Sequence, residues 1–143
     1  MLYQLILTDL ELSYDNFSED FHIGLFETER QAEDTALYYL KSIKGFCDFP
    51  CTYRIVKKEV VGGFNNRNPD FIWMVQGWNL NENLDEIDII ESPCFLTEEQ
   101  AGSELQVLKG KYQRAEWSLD KYRIGALEWW DGFVGRAGGV PAN

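Results

Sequence analysis

Phe26-Glu27-Thr28-Glu29-Arg30-Gln31-Ala32 and Phe95-Leu96-Thr97-Glu98-Glu99-Gln100-Ala101 are one stretch written twice, sixty-nine residues apart. Extended outward without a gap, the match runs from Phe26–Phe64 onto Phe95–Phe133. It also pairs Tyr53-Arg54-Ile55 with Tyr122-Arg123-Ile124, Glu59 with Glu128, and Gly63-Phe64 with Gly132-Phe133. That makes 11 identities in 39 positions, against roughly two or three expected from ordinary composition. A self-match at fixed period marks a structural unit used twice.

The repeated stretch is also a helix start. Thr28 and Gln31, like Thr97 and Gln100, stand where a capping box needs them, the threonine for the N3 amide and the glutamine reaching back. Ala32, Ala36, Leu40 and Ile43 follow at helical spacing, with Leu37 widening the stripe. Lys41 and Lys44 suit the negative helix end, and Gly45 stops it. In the second copy the stripe is Ala101, Leu105, Leu108 and Tyr112. Strands are read from alternation at 2–8, 21–26 and about 52–61, and again at 71–80, 86–91 and 122–130, with a polar loop at 13–19. Each unit is therefore strand, strand, helix, strand. The expected fold is α+β: two ββαβ repeats about a pseudo-two-fold, about six mainly antiparallel strands, and both helices on one face. The first repeat spans 1–64, a turn-rich join 65–70, the second repeat 71–133, and a Gly-rich tail expected to fray 134–143, all within one shared globular domain.

The second copy ends in Trp130-Asp131-Gly132-Phe133, and both helices begin with threonine four residues before alanine. The first copy carries a Gly45-Phe46 loop with Asp48 and Pro50, and has Val61-Gly62-Gly63-Phe64 in place of the tryptophan ending. These features resemble a group of small uncharacterised bacterial ββαβ domains that close on Trp-x-Glu/Asp-Gly-Phe. Here such a domain would be present as a tandem internal duplication. The resemblance implies a fold and assigns no activity or site residue.

The net charge is −11. Residues 1–69 hold 11 acidic and 7 basic residues (−4), and residues 70–143 hold 13 and 6 (−7). Such a surface repels phosphate backbones, so nucleic acid is not an expected partner, whereas a basic protein is. No apolar run is long enough for a membrane span, and no secretory signal is visible at the start. Cys47, Cys51 and Cys94 fit neither a redox motif nor zinc spacing, and read as reduced thiols of a cytoplasmic protein.

The candidate chemistry is sparse. Asp85, Glu86 and Asp88, with Glu82 and Glu91, form the densest charge cluster. Asn79, Asn81, Asn83 and Asp85 imitate the start of a calcium loop, but Leu84 replaces its glycine and Ile90 its closing glutamate, so no metal is expected. Arg54 and Arg123 hold equivalent places and could grip an anion, or pair with Glu59 and Glu128. All five tryptophans lie in the second copy, and Trp78, Trp129 and Trp130 are candidate anchors, the last two read as strand neighbours on opposite faces. The lone histidine, His22, is expected at the surface, and no nucleophile has a credible base. No cofactor is expected. These features support a small bacterial-type protein that binds rather than catalyses: an acidic module, immunity- or inhibitor-like, directed at a basic partner. The alternative is a small-molecule-binding regulatory domain using a groove between the repeats, anchored by Arg54 and Arg123.

Overall fold

A computed structural model of the chain describes residues 1–63 and 69–134. Phe64, residues 65–68 of the expected join, and residues 135–143 of the expected tail lie outside the described residues. The elements are β1 (Leu2–Tyr14), β2 (Phe17–Phe26), α1 (Glu29–Ser42), β3 (Cys51–Lys58), β4 (Phe71–Leu80), β5 (Glu86–Glu91), α2 (Glu98–Lys111) and β6 (Glu116–Arg123). The α+β class and the ββαβ order of both repeats are present. The strands form two three-stranded sheets of order β2-β1-β3 and β5-β4-β6, so corresponding strands hold corresponding places. The hairpins β1–β2 and β4–β5 are antiparallel, as is β4–β6.

Both helices start where the repeated stretch places them. Thr28 Oγ1 accepts the Gln31 amide at 3.1 Å, and Gln31 Oε1 accepts the Thr28 amide at 3.2 Å, completing a capping box. Thr97 Oγ1 accepts the Gln100 amide at 3.2 Å. In α1 the buried line is Ala32, Ala36 and Tyr39, and Leu37 stands exposed. At about 100° per residue, Leu37 lies more than a quarter-turn from the centre of that line. Tyr39 takes the core place instead.

Three strand assignments change. The segment 13–19 is the end of a long hairpin, not a loop, with its turn at Asp15-Asn16. Polar cross-strand contacts hold it where no apolar alternation marks it: Ser13 Oγ accepts the Glu19 amide at 3.0 Å, and Thr8 Oγ1 donates to Asp20 at 2.7 Å. The third strand stops at Lys58. The last strand is Glu116–Arg123, not 122–130, because Gly125 turns the chain with φ +84°. Trp117 sits directly opposite Gly77, and a Cβ on Gly77 would collide with the Trp117 ring. The glycine makes room for the indole across the strand pair.

The described chain forms two compact units that do not follow the repeat boundary. One contains Leu2–Lys57 and the described residues from Gly125 onward; the other contains Lys58–Ile124 with Met1. In the first unit α1 packs on β1 and β2. Its core is built on Leu5, Leu7, Phe21, Ile23, Tyr39 and Phe46 and also takes in Phe133. In the second, α2 packs on β4 and β6, with Val75, Phe95 and Ala101 at the centre and Val61, Trp73 and Trp117 against them. Each unit is thus completed by the segment that follows the other repeat's last strand.

Candidate functional site

The segment from Gly125 to Val134 is not a strand, yet it is fixed at many points along β2 and α1. The amides of Gly125 and Glu128 donate to the carbonyls of Leu25 and Ile23, both at 2.8 Å. The Tyr39 hydroxyl donates to the Glu128 carbonyl at 2.9 Å. The Glu128 carboxylate lies 3.3 Å from His22 Nε2, while His22 Nδ1 lies 3.1 Å from Gln4 Nε2. His22 is therefore half-buried and engaged on both nitrogens, where a surface position was expected. Past the next turn, the Phe133 amide donates to the Lys44 carbonyl at 3.1 Å. The Phe133 ring stacks on Phe21 at 5.0 Å and meets Phe46 edge-on at 4.9 Å.

Two glycines make this docking possible. Gly45 (φ +87°) would strike Phe133 with any side chain, and Gly132 (φ +75°) would strike the Lys44 carbonyl. Asp48 fixes the Gly45 loop by accepting the Gly45 amide at 2.9 Å. The Gly45-Phe46 loop of the first repeat and the Trp130-Asp131-Gly132-Phe133 ending of the second thus meet in one unit. Sequence reading assigned them to different copies of one domain pattern.

Between these anchors the chain makes a tight turn, closed by the Gly132 amide donating to the Trp129 carbonyl at 2.9 Å. Trp129 adopts φ +57°, a left-handed conformation costly for a bulky residue. Its ring packs edge-on against Phe21 at 4.9 Å. Trp130, next in the turn, is 68% exposed. The two tryptophans part ways because of this turn rather than because of strand alternation. Glu128 and Asp131 flank Trp130, and their charges register on a buried neighbour. The Tyr39 phenol is pushed up to about 12, by burial first, then by Tyr38, Asp131 and Glu128. Tyr38 is itself exposed on α1.

The other candidate residues are spread over the chain. Arg54 and Arg123 belong to different units, and Arg54 has Asp20 and Thr8 as partners. Its Nη2 donates to Asp20 Oδ2 at 3.0 Å, and its Nη1 reaches Thr8 and Asp20 at 3.4 Å. Burial alone would raise the Asp20 carboxyl, but hydrogen bonds from Arg54, Ser18 and Thr8 outweigh it and hold Asp20 below the usual carboxylate range. Arg123 ends β6 in the other unit, exposed and opposite Phe71. Sixty-nine residues on from Thr8 and Asp20 stand Gly77 and Ile89, so the second repeat carries no equivalent acceptors for it. Asp85, Glu86 and Asp88 belong to the β4–β5 hairpin, where Asn81 Oδ1 accepts the amides of Asn83 (2.9 Å) and Asp85 (3.0 Å). Asn79 Nδ2 donates to Asp88 at 3.1 Å. The calcium-loop imitation is thus a side-chain-capped turn, with Trp78 half-buried beside it.

Sequence reading missed one buried polar cluster. Lys58, only 6% exposed, donates to the Ser92 carbonyl at 2.9 Å and lies 3.9 Å from Glu91. Ser92 Oγ accepts the Val75 amide and donates to the Pro93 carbonyl, both at 2.8 Å. The neighbouring Cys94 thiol is pushed up to about 11, chiefly by burial. Lys58 and the backbone bonds between Cys94 and Glu59 and between Val61 and Cys94 hold residues 58–61 against the end of β5, while Ser92 Oγ ties that end to β4. Little in the sequence warned of this cluster: Lys58 follows Lys57 at the end of a strand that also carries Thr52 and Arg54.

No family model, curated protein or solved structure matches the chain. Among the described residues no helix is long and apolar enough to cross a membrane.

Proposed function

We propose that this chain is a non-catalytic, acidic protein-binding module, of immunity or inhibitor type, that docks a basic partner on the Trp129–Gly132 turn. One observation carries the reading: Trp130 is 68% exposed in a turn anchored at both ends. Burying such a ring on a partner is worth on the order of 3 kcal/mol. Because the turn is already ordered, little of that is lost to ordering it on binding. Tryptophan is the residue type most enriched at interface hot spots. Glu128 and Asp131 beside it, within a chain of net charge −11, would steer a basic surface toward the turn and raise its association rate.

The remaining chemistry favours binding over catalysis. The lone histidine is taken by Gln4 and Glu128, and Cys94 is buried with a raised pKa. The cysteines carry thiols, which suits a reducing, cytoplasmic setting.

Affinity capture from the source cell tests the proposal. The wild-type chain should retain a basic protein at low salt, with an association rate that falls as salt rises. Trp130→Ala should lose it by about tenfold or more without any loss of thermal stability. A retained set of proteins identical for wild type and Trp130→Ala would remove the reading.

A further inference from the structure

We infer that the β4–β5 hairpin is a second contact surface, shaped for a segment of the partner that is both apolar and basic. This rests on the partner being a basic protein, but on different residues. The tip of the hairpin is Leu84, 76% exposed, with φ +64°. Bulky side chains avoid that backbone region, and apolar ones gain nothing from solvent. Glycine or asparagine would suit the same turn better.

The strand register extends the patch inward. Gly77 lies opposite Ile90, and Leu80 opposite Glu86. Gly77 faces the Trp117 ring, so by alternation Trp78 and Leu80 occupy the other sheet face. Between these pairs β5 carries one extra residue, with Asp88 at φ +53°. This bulge bends the strand and offers Ile89, the neighbour of Ile90, to the face of Trp78 and Leu80. Leu80 and Ile89 are 46% and 47% exposed. An apolar strip therefore runs from half-buried Trp78 through Leu80 and Ile89 to the leucine tip.

Charge selects the occupant. From Phe71 to Leu108 the chain holds eight acidic residues and no lysine, arginine or histidine. Five of the eight, Glu82, Asp85, Glu86, Asp88 and Glu91, belong to this hairpin. A second copy of the chain would bring the same negative charge against it. An amphipathic segment bearing lysine or arginine would cover the strip and neutralise its rim.

The test uses the full chain and two synthetic peptides of equal composition and charge, one a leucine/lysine amphipathic helix and one scrambled. The amphipathic peptide should shift the amide resonances of Trp78 to Ile89 and bind about tenfold or more tighter than the scrambled one. Leu84→Gly should weaken that binding about tenfold while melting no lower than wild type, since it relieves the left-handed backbone. Leu84→Asn tolerates the same conformation and should weaken binding likewise. Equal binding of both peptides, unmoved by either substitution, would overturn the inference in favour of charge alone. Concentration-dependent shifts of the hairpin without peptide would overturn it in favour of self-association. If Trp130→Ala abolishes peptide binding and the Leu84 variants do not, the hairpin inference falls and the proposed role of the Trp129–Gly132 turn stands.

Discussion

Replacing Tyr39 by Phe removes one oxygen from the middle of the first unit, and the consequence should change sign with pH. Tyr39 is fully buried, and its hydroxyl donates to the Glu128 carbonyl at 2.9 Å, holding down the segment that carries both exposed tryptophans. Near neutral pH the lost hydrogen bond should cost about 1 kcal/mol. In the folded chain the phenol is raised to about 12, by burial and by its negative neighbours, against about 10 when unfolded. The folded state therefore keeps its proton longer. The stability this gives is fully present below about pH 10 and is lost as pH rises toward 12, to a total of about 2.7 kcal/mol. Phenylalanine cannot ionise and escapes that loss. At about pH 11 the wild-type chain has lost about 1.4 kcal/mol, more than the hydrogen bond supplied. The two stability curves should cross a little below that pH, with Tyr39→Phe the more stable protein above it. Urea unfolding followed by tryptophan fluorescence, from about pH 7 to about pH 11.5, measures the difference directly. The other tyrosines and the lysines titrate in both proteins and cancel. A difference that stays constant across this range would refute the reasoning, as would no difference at neutral pH.

Thr28→Ala and Thr97→Ala should each cost about 1 kcal/mol in denaturant unfolding, with Thr28 the costlier because its cap has both reciprocal bonds. Asp20 has a depressed folded pKa, so its contribution is present above about pH 4, its unfolded value, and is lost as pH falls through the folded one. An acid titration of stability should therefore flatten at that limb in Asp20→Asn, and an unchanged limb would count against the Arg54–Asp20 pairing. Glycine-to-alanine changes should differ in sign. Gly132→Ala, at φ +75° against the Lys44 carbonyl, should cost about 2 kcal/mol or more and loosen the Trp129–Gly132 turn. Gly102→Ala, within α2 and facing open space, should stabilise by about 0.5–1 kcal/mol.

The parts of this fold that could be read from sequence are those whose physics is complete within a few residues. A capping box needs only Thr28 and Gln31, so both helix starts stood in plain view. The strand at 86–91 alternates between turn residues and was placed correctly. The parts that could not be read depend on contacts across long separations. Ala126 to Trp130 looks like a strand, apolar enough to continue Tyr122 to Ile124. Only Gly125 at φ +84° and Trp129 at φ +57° break it, and nothing local demands either angle. The actual strand, Glu116–Arg123, begins in a stretch, Glu116–Lys121, with no identity to the first copy, and it is held by Trp117 fitting over Gly77, forty residues away.

The exchange of closing segments was hidden for a deeper reason. The repeat equates Glu59 with Glu128, and its offset carried upstream of the match sets His22 on Glu91, so identity alone could not say which segment closes which sheet. The polar contacts decide it. Glu128 from the second repeat meets His22 of the first, while Lys58 from the first meets Glu91 of the second. Closure of each repeat on itself would set Glu128 against Glu91, like charges at one site, and would leave Phe133 without the Gly45 loop, whose counterpart in the second repeat is Arg114. The duplication therefore shows most where the copies agree, at the helix caps. What distinguishes the copies, a histidine against a glutamate and a glycine against an arginine, is what joins them into one molecule and brings Trp130 to the surface on a unit built mainly from the other repeat.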